Sequence, residues 1–347
     1  MKQFPALKGA FFAIAAAILF GASTPLVQLA GVGVGAWMTA ALLYTGAAIT
    51  GILLRSKRII EAPLQKQHWP RLILMALFGA VLGPAALAWG LQHTGAMGAS
   101  LMLTLEAVFT VLLAIVLYQE KIGVRVALAI TLMTFGAALL VLGQSDAGQA
   151  QTLGLLAVMA ATLAWGIDNT LSRALADLDP GQIVFGKAVL GAASSFLIAI
   201  ILGGNAINLN QGLSLLFIGA IGYGLSLRFY LLAQRSFGAS RTGSLFAAAP
   251  FIGAAIAFGL GERQTSVYLS AATILMILGV FLHITEQHEH THSHDELEHE
   301  HAHLHDDGHH SHTHSDMPSG AHSHKHQHTS IAHTHPHVPD AHHDHSH

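Results

Sequence analysis

The chain has 347 residues, of which 52% are hydrophobic and only 10% are charged. Soluble globular domains carry about a quarter charged residues, so this composition excludes an ordinary soluble protein and indicates a membrane protein. The sequence contains no cysteine, which excludes disulfides and thiolate metal sites.

Long apolar segments follow one another from the N-terminus. Each has about twenty residues, enough to cross a hydrocarbon core of about 30 Å as a helix. They are too long and too continuously apolar for the strands of a barrel. We read the first as an uncleaved span rather than a signal peptide. The sequence therefore predicts an all-α membrane protein with ten transmembrane helices, at residues 8–30, 36–54, 71–91, 97–118, 123–142, 153–173, 182–202, 212–232, 241–260 and 265–285.

Lys and Arg predict the direction of these spans, because cytoplasmic loops retain positive charge. With the N-terminus inside, the basic residues before Gln287 fall on or near the cytoplasmic side, and only Arg263 falls outside. Lys187 and Arg228 lie within spans, each close enough to a cytoplasmic end to snorkel to the interface. We therefore predict a multi-pass protein of the plasma or inner membrane with both termini in the cytoplasm.

Two pairs of segments resemble each other at nearly one separation. Residues 91–121 resemble 232–263, and Glu120 and Glu262 each precede a basic residue at the end of an apolar run. Residues 18–26 resemble 163–171 more weakly. Five spans separate the copies, and an odd number of spans inserts the second copy upside down. The sequence thus predicts two inverted five-helix repeats, at 1–142 and 151–286, which is typical of secondary transporters.

The membrane part resembles the EamA-type proteins of the drug/metabolite transporter superfamily over roughly residues 8–285. The resemblance is carried by FGAST in the first span, GASLMLTLEAVFTVLLAIVLYQEK in the fourth and GASRTGSLFAAAPFIGAAIAFGLGER in the ninth. Members usually have a proline just inside the fourth and ninth spans; Pro250 matches, whereas Val108 departs from the pattern. The resemblance implies a ten-helix carrier that moves a small solute without hydrolysing nucleotide. Amino acids, nucleotide sugars, amines and other metabolites all stay open as solutes.

Polar side chains inside the predicted spans are candidates for the substrate pathway. Glu106 lies near the centre of the fourth span, where a charged carboxylate costs roughly 2.5–3.5 kcal/mol. It is either a proton-coupling or cation-binding group, or a protonated acid bonded to a neighbouring helix. Asp168 is either a substrate ligand or an interfacial anchor near Arg173. The repeat offset aligns the polar pair in the sixth span with the pair in the first, and the predicted pathway residues are Glu106, Asp168, Asn169, Ser23, Thr24, Trp89 and Trp165.

The tail, residues 287–347, differs from the rest of the chain in composition. It holds 23 of the 26 histidines and has few apolar side chains, so we predict that it is disordered without a ligand. Closely spaced neutral imidazoles chelate divalent metals such as Zn, Ni or Co, although a pH-sensing role is an alternative. The predicted metal ligands are His288, His290, His292, His294, His299, His301, His303, His305, His309, His310, His312 and His314.

These patterns predict a secondary transporter that exports a small organic metabolite and carries a metal-binding regulatory or buffering tail. Two alternatives stay open: a divalent-metal exporter fed by the tail, and a membrane-anchored metal store. The sequence has no nucleotide-binding loop or nucleophile elbow, so we do not expect an enzyme. We expect no required cofactor and no nucleic-acid partner. The expected partners are the lipid bilayer and the solute, with a homodimer as a further option.

Overall fold

The structure is a computed structural model of the chain. It describes the membrane part at residues 5–54, 63–118, 122–143, 148–175, 178–203, 207–237, 239–263 and 266–285, and the tail at 289–294, 297–303, 322–328 and 331–336. Glu120 lies outside these residues.

The described membrane part is built from helices arranged in ten spans that are long and apolar enough to cross a membrane. This confirms the predicted all-α architecture. Short 3₁₀ turns precede α3 and follow α8, and π-helical segments lie at Leu77–Leu82 and Gly219–Leu225. The helices are α1 (Pro5–Ala30), α2 (Ala36–Leu53), α3 (Trp69–Ala76), α4 (Gly83–Leu91), α5 (Ala96–Met102), α6 (Leu105–Tyr118), α7 (Val124–Leu142), α8 (Gln149–Ser172), α9 (Pro180–Ile201), α10 (Leu209–Ile218), α11 (Ser226–Phe237), α12 (Ala239–Phe246), α13 (Ala249–Gly259) and α14 (Val267–Ile284).

Interrupted spans occur at equivalent positions of the two halves. The third and eighth spans each contain a π-helical segment, between α3 and α4 and between α10 and α11. The fourth and ninth spans are each divided into two helices, α5–α6 and α12–α13. Pro250 lies in the first turn of α13, where its missing N–H is not needed by the helix. The α5–α6 break forms without a proline, so Val108 does not alter this feature of the fold.

The packing of the spans repeats between the halves. Helix α1 packs on α11 and α13, and its counterpart α8 packs on α4 and α6. Helix α2 packs on α9, and α7 packs on α14. Exchanging the halves maps this set of neighbours onto itself, as expected for two inverted five-helix repeats. The first and sixth spans therefore lie centrally, each against the other half.

Small residues allow close approach where the halves meet. Gly219 lies directly against the backbone of Leu43, and a Cβ at this glycine would overlap the Leu43 carbonyl oxygen. Such glycines let membrane helices pack through backbone contacts, because lipid tails provide no hydrophobic drive for association. The outer surface instead carries large apolar side chains, including Ile201, Phe217 and Phe281. The protein is thus a multi-pass membrane protein with an apolar exterior.

Four short segments of the tail form strands. Strand β1 (Glu289–His294) pairs antiparallel with β4 (Ile331–Pro336), and β2 (Leu297–His303) pairs antiparallel with β3 (His322–His328). Histidine at every second position shares the two-residue period of an extended strand, and pairing satisfies backbone groups. The register sets histidine opposite histidine at 290/335, 292/333, 299/326, 301/324 and 303/322. The predicted ligands that lie outside the described residues are His288, His305, His309, His310, His312 and His314.

Candidate functional site

A central cavity of ≈ 80 Å³ lies between the two halves. Its walls come from seven spans, and this convergence of spans near the middle of the bundle is where carriers with inverted repeats bind their solutes. One ordered water requires a cavity volume of roughly 10–15 Å³, so this cavity has room for a small solute or several waters. The lining residues are Phe20, Tyr44, Glu106, Trp165, Asp168, Asn169, Lys187, Gly222, Tyr223, Ser226, Leu227, Tyr230 and Phe246.

Glu106 is held at the cavity by the break in the fourth span. Helix α6 restarts at Leu105, so Glu106 lies in its first turn. The side-chain amide of Asn169 on α8 donates a hydrogen bond of 2.7 Å to Glu106 Oε1. An amide donor stabilises an ionised carboxylate and leaves the second oxygen, Oε2, available to another partner. This contact also joins the first half of the chain to the second.

Asp168 forms a buried ion pair with Lys187. The ammonium group of Lys187 on α9 donates to Asp168 Oδ2, and both side chains are less than 10% exposed. Lys187 therefore does not snorkel to the interface, contrary to the sequence prediction, because a carboxylate is within reach inside the protein. Asp168 Oδ1 is buried and has no hydrogen-bond partner among the described residues. Buried carboxylate oxygens are normally satisfied, so this atom is a candidate for binding a solute or water.

Aromatic rings form most of the remaining wall. Phe20 makes edge-to-face contacts with Trp165 and Tyr223, with ring centroids 5.7 and 5.9 Å apart. The ring of Tyr44 meets that of Tyr223 at 5.7 Å. On the far side, Phe246 lies 5.4 Å from Phe20. These tilted arrangements match the preferred geometry of aromatic pairs and fix the rings in place.

Two of these rings are anchored by one carbonyl group. Gly79 lies in the π-helical segment of the third span, and its carbonyl oxygen accepts hydrogen bonds from the Tyr44 hydroxyl and from Trp165 Nε1, the latter at 3.1 Å. A π-helical turn shifts backbone carbonyl groups out of the regular hydrogen-bond pattern of an α-helix, so that side chains can bond to them. The interrupted span therefore positions two walls of the cavity.

The predicted pathway residues divide into two groups. Glu106, Trp165, Asp168 and Asn169 meet in the cavity. Ser23 and Thr24 are buried in α1 but do not line it, and the Ser23 hydroxyl donates to the carbonyl of Phe20 at 2.6 Å. Trp89 also lies outside it, 40% exposed and stacked on His93 with ring centroids 4.0 Å apart.

Sequence reasoning missed Lys187 and most of the aromatic wall as cavity residues. Its closeness to a span end predicts an interfacial position for Lys187. The residues Phe20, Tyr44, Tyr223, Tyr230 and Phe246 come from four different spans. The sequence did contain a signal for Lys187, because lysine is rare inside apolar membrane spans and a lysine found there is a functional candidate.

Comparison with known proteins agrees with this architecture. Residues 7–142 and 152–285 match the EamA-like transporter family. The chain belongs to this family. An uncharacterized transporter of Methanothermobacter thermautotrophicus is 30% identical over 230 residues, which span 64% of this chain and 66% of that relative. A solved crystal structure superposes with a TM-score of 0.58 at 21% identity, over 81% of this chain and 96% of the other, and so shares the fold.

Membership of the EamA-like family makes this protein a membrane transporter. The two matched regions each cover one five-helix half, so the family relationship includes the central cavity but not the tail. Both the family and the relative are described as transporters rather than enzymes.

Proposed function

We propose that this EamA-like transporter is a secondary carrier that exports a small organic solute bearing a protonated amine, bound beside Glu106 in the central cavity. The observation that carries the proposal is the combination of an acidic group with an aromatic wall. Two carboxylates and one ammonium group line the cavity, so one negative charge is in excess when both acids are ionised.

The aromatic wall favours an organic cation over a strongly hydrated inorganic one. The faces of Tyr and Trp attract a cation within about 6 Å of the ring centroid, and they also provide apolar contact for carbon atoms. An ammonium group of the solute could donate hydrogen bonds to two carboxylate oxygens, Glu106 Oε2 and Asp168 Oδ1. A zwitterion such as an amino acid would additionally place its carboxylate near Lys187.

Glu106 is proposed to couple transport to protons. Its carboxyl group can be neutral when the cavity is empty and ionised when a cation is bound, so that solute and proton compete for one site. We propose export across the plasma or inner membrane, with both termini in the cytoplasm as the distribution of Lys and Arg predicts.

A divalent metal is the second candidate solute, and the tail is the observation that favours it. Its 23 histidines supply abundant imidazole ligands. The strand register sets five histidine pairs opposite each other, at positions where Cβ atoms are typically about 5 Å apart. Within the described residues of the membrane part, however, no group of three His, Asp or Glu side chains lies close enough to hold a metal ion. We therefore propose that Zn, Ni or Co binds to the tail, which regulates transport or buffers the metal.

Reconstituted uptake tests the proposal. Purified protein in proteoliposomes is compared for uptake of labelled amines, amino acids, Ni, Co and Zn, using wild type, Glu106→Gln and a chain that ends at residue 286. Thr131→Ala is the matched control, because its exposed hydroxyl bonds only within α7. We expect amine transport that Glu106→Gln lowers at least about tenfold and truncation preserves.

Each alternative has a distinct outcome in the same assay. Transport of metal but of no organic solute would contradict the organic-solute proposal and support the second candidate. Full activity of Glu106→Gln would contradict the coupling role. A membrane-anchored store would transport nothing and would lose all metal retention when the tail is removed.

A further inference from the structure

A second cavity, of ≈ 350 Å³, lies at the end of the bundle opposite to the start of α1 and the end of α14. We call this end the distal face. The cavity is lined by the end of α1, the end of α13 and the starts of α5, α8 and α14. Its polar lining residues are Gln28, Gln151 and Glu262. A solute that leaves the central cavity toward the distal face would enter this second cavity next.

A close-packed layer separates the two cavities. Helices α1, α5 and α13 meet there, and a Cβ at Gly253 would lie 2.8 Å from both the Gly21 carbonyl oxygen and Ser100 Oγ. Thr24 and Ser100, within this layer, are 1% and 0% exposed. The layer has no space even for an added methyl group, so a solute can pass only if these helices move apart.

Glu262 ties the layer together at the distal face. Its Oε2 accepts a 3.0 Å hydrogen bond from the backbone N–H of Met97, in the first turn of α5, and its Oε1 lies against Gly95. A side chain at position 95 would displace the carboxylate. Bonds from a backbone N–H to an ionised carboxylate are stronger than neutral ones. The contact joins the ninth span of the second half to the fourth span of the first.

Gln28 makes a second tie at the same place. Its side-chain amide donates to the carbonyl oxygens of Leu91 at 2.9 Å and Thr94 at 2.7 Å. This fixes α1 to the loop that precedes α5. Glu262 and Gln28 therefore hold the three helices of the layer to one another from the distal side.

We propose that Glu262 is the gating residue of the distal face: its bond to Met97 keeps the central cavity closed on this side, and the bond breaks in each transport cycle. Alternating access in inverted-repeat carriers occurs by movement of one half against the other around a fixed site. A hydrogen bond that joins α5 to the end of α13 at the rim of this close-packed layer is well placed to set the balance between closed and open states. The inference rests on transport as such and not on the identity of the solute.

Thiol labelling tests the proposal directly. Because the sequence contains no cysteine, Thr24→Cys supplies a single thiol within the layer. A membrane-impermeant thiol reagent is applied in turn to intact cells and to inverted vesicles. Glu262→Ala in this background should raise labelling from the distal side at least about fivefold, since loss of 1 kcal/mol from the closed state changes an equilibrium about fivefold. Glu262→Gln keeps an acceptor oxygen without its charge and should give an intermediate rise.

Gln211→Ala is the matched control. Its side-chain amide donates to the carbonyl oxygen of Val32 at 2.8 Å, so it also bonds a backbone group at the distal face, but it does not join α5 to α13. Unchanged labelling in Glu262→Ala, or an equal rise in Gln211→Ala, would overturn the proposal. If Glu262→Ala does not reach the membrane, Glu262→Gln decides, and no rise in that variant overturns it. Increased labelling in a protein that moves no amine would support the gate while contradicting the proposed solute.

Discussion

Replacing Lys187 by Met should strongly destabilise the protein, because it leaves Asp168 without its partner. Both side chains of the pair are less than 10% exposed, so bulk solvent does little to stabilise the charge of the remaining carboxylate. Removing one partner of a buried ion pair typically costs about 3–5 kcal/mol. Alternatively, the Asp168 carboxylate takes up a proton and becomes neutral. Protonating a carboxyl group with an ordinary pKa near 3.9 costs roughly 4 kcal/mol at pH 7, so the expected loss of folding stability is similar in both cases.

A double-mutant cycle separates the pair from the general effects of each substitution. The free energy of unfolding in detergent is measured for wild type, Lys187→Met, Asp168→Asn and the double variant. Lys187→Arg is the control that keeps the positive charge. We expect the double variant to be more stable than Lys187→Met by at least about 1.5 kcal/mol, because it removes both charges together. The reasoning is refuted if Lys187→Met unfolds within about 0.5 kcal/mol of wild type, a margin typical of surface substitutions.

Three further predictions address the cavity, the packing and the tail. Trp165→Phe keeps an aromatic ring but loses the indole N–H and its hydrogen bond, so stability should fall by about 1 kcal/mol and transport several-fold, whereas Trp89→Ala should leave transport within about twofold; equal effects in uptake assays would contradict the cavity assignment. Gly219→Ala forces a methyl group onto the Leu43 carbonyl and should cost about 1–3 kcal/mol in detergent unfolding, and an unchanged stability would show that the helices can separate freely. Truncation of residues 287–347 should abolish tight Zn or Ni binding in equilibrium dialysis, and retained binding would place the metal in the membrane part.

The sequence by itself determined the architecture, since the number of spans follows from composition and segment length, and their inverted repeat from internal similarity and charge. Each of these depends on the chain's partition between lipid and water, which can be read residue by residue. Glu106 and Asp168 were also identified in this way, because a carboxylate in an apolar span is conspicuous.

Only the tertiary structure decided which residues share a cavity. Lys187 is assigned to the interface by its position in the sequence, yet it reaches Asp168 because the last turns of α8 and the first turns of α9 lie at the same end of the bundle. Trp89 and Trp165 are equally plausible cavity walls from the sequence, and only the rotation of their helices separates them. The bond from Met97 to Glu262 likewise joins residues 165 positions apart. Such contacts depend on how interrupted helices from two halves dock against each other, and no local pattern in either half encodes that arrangement.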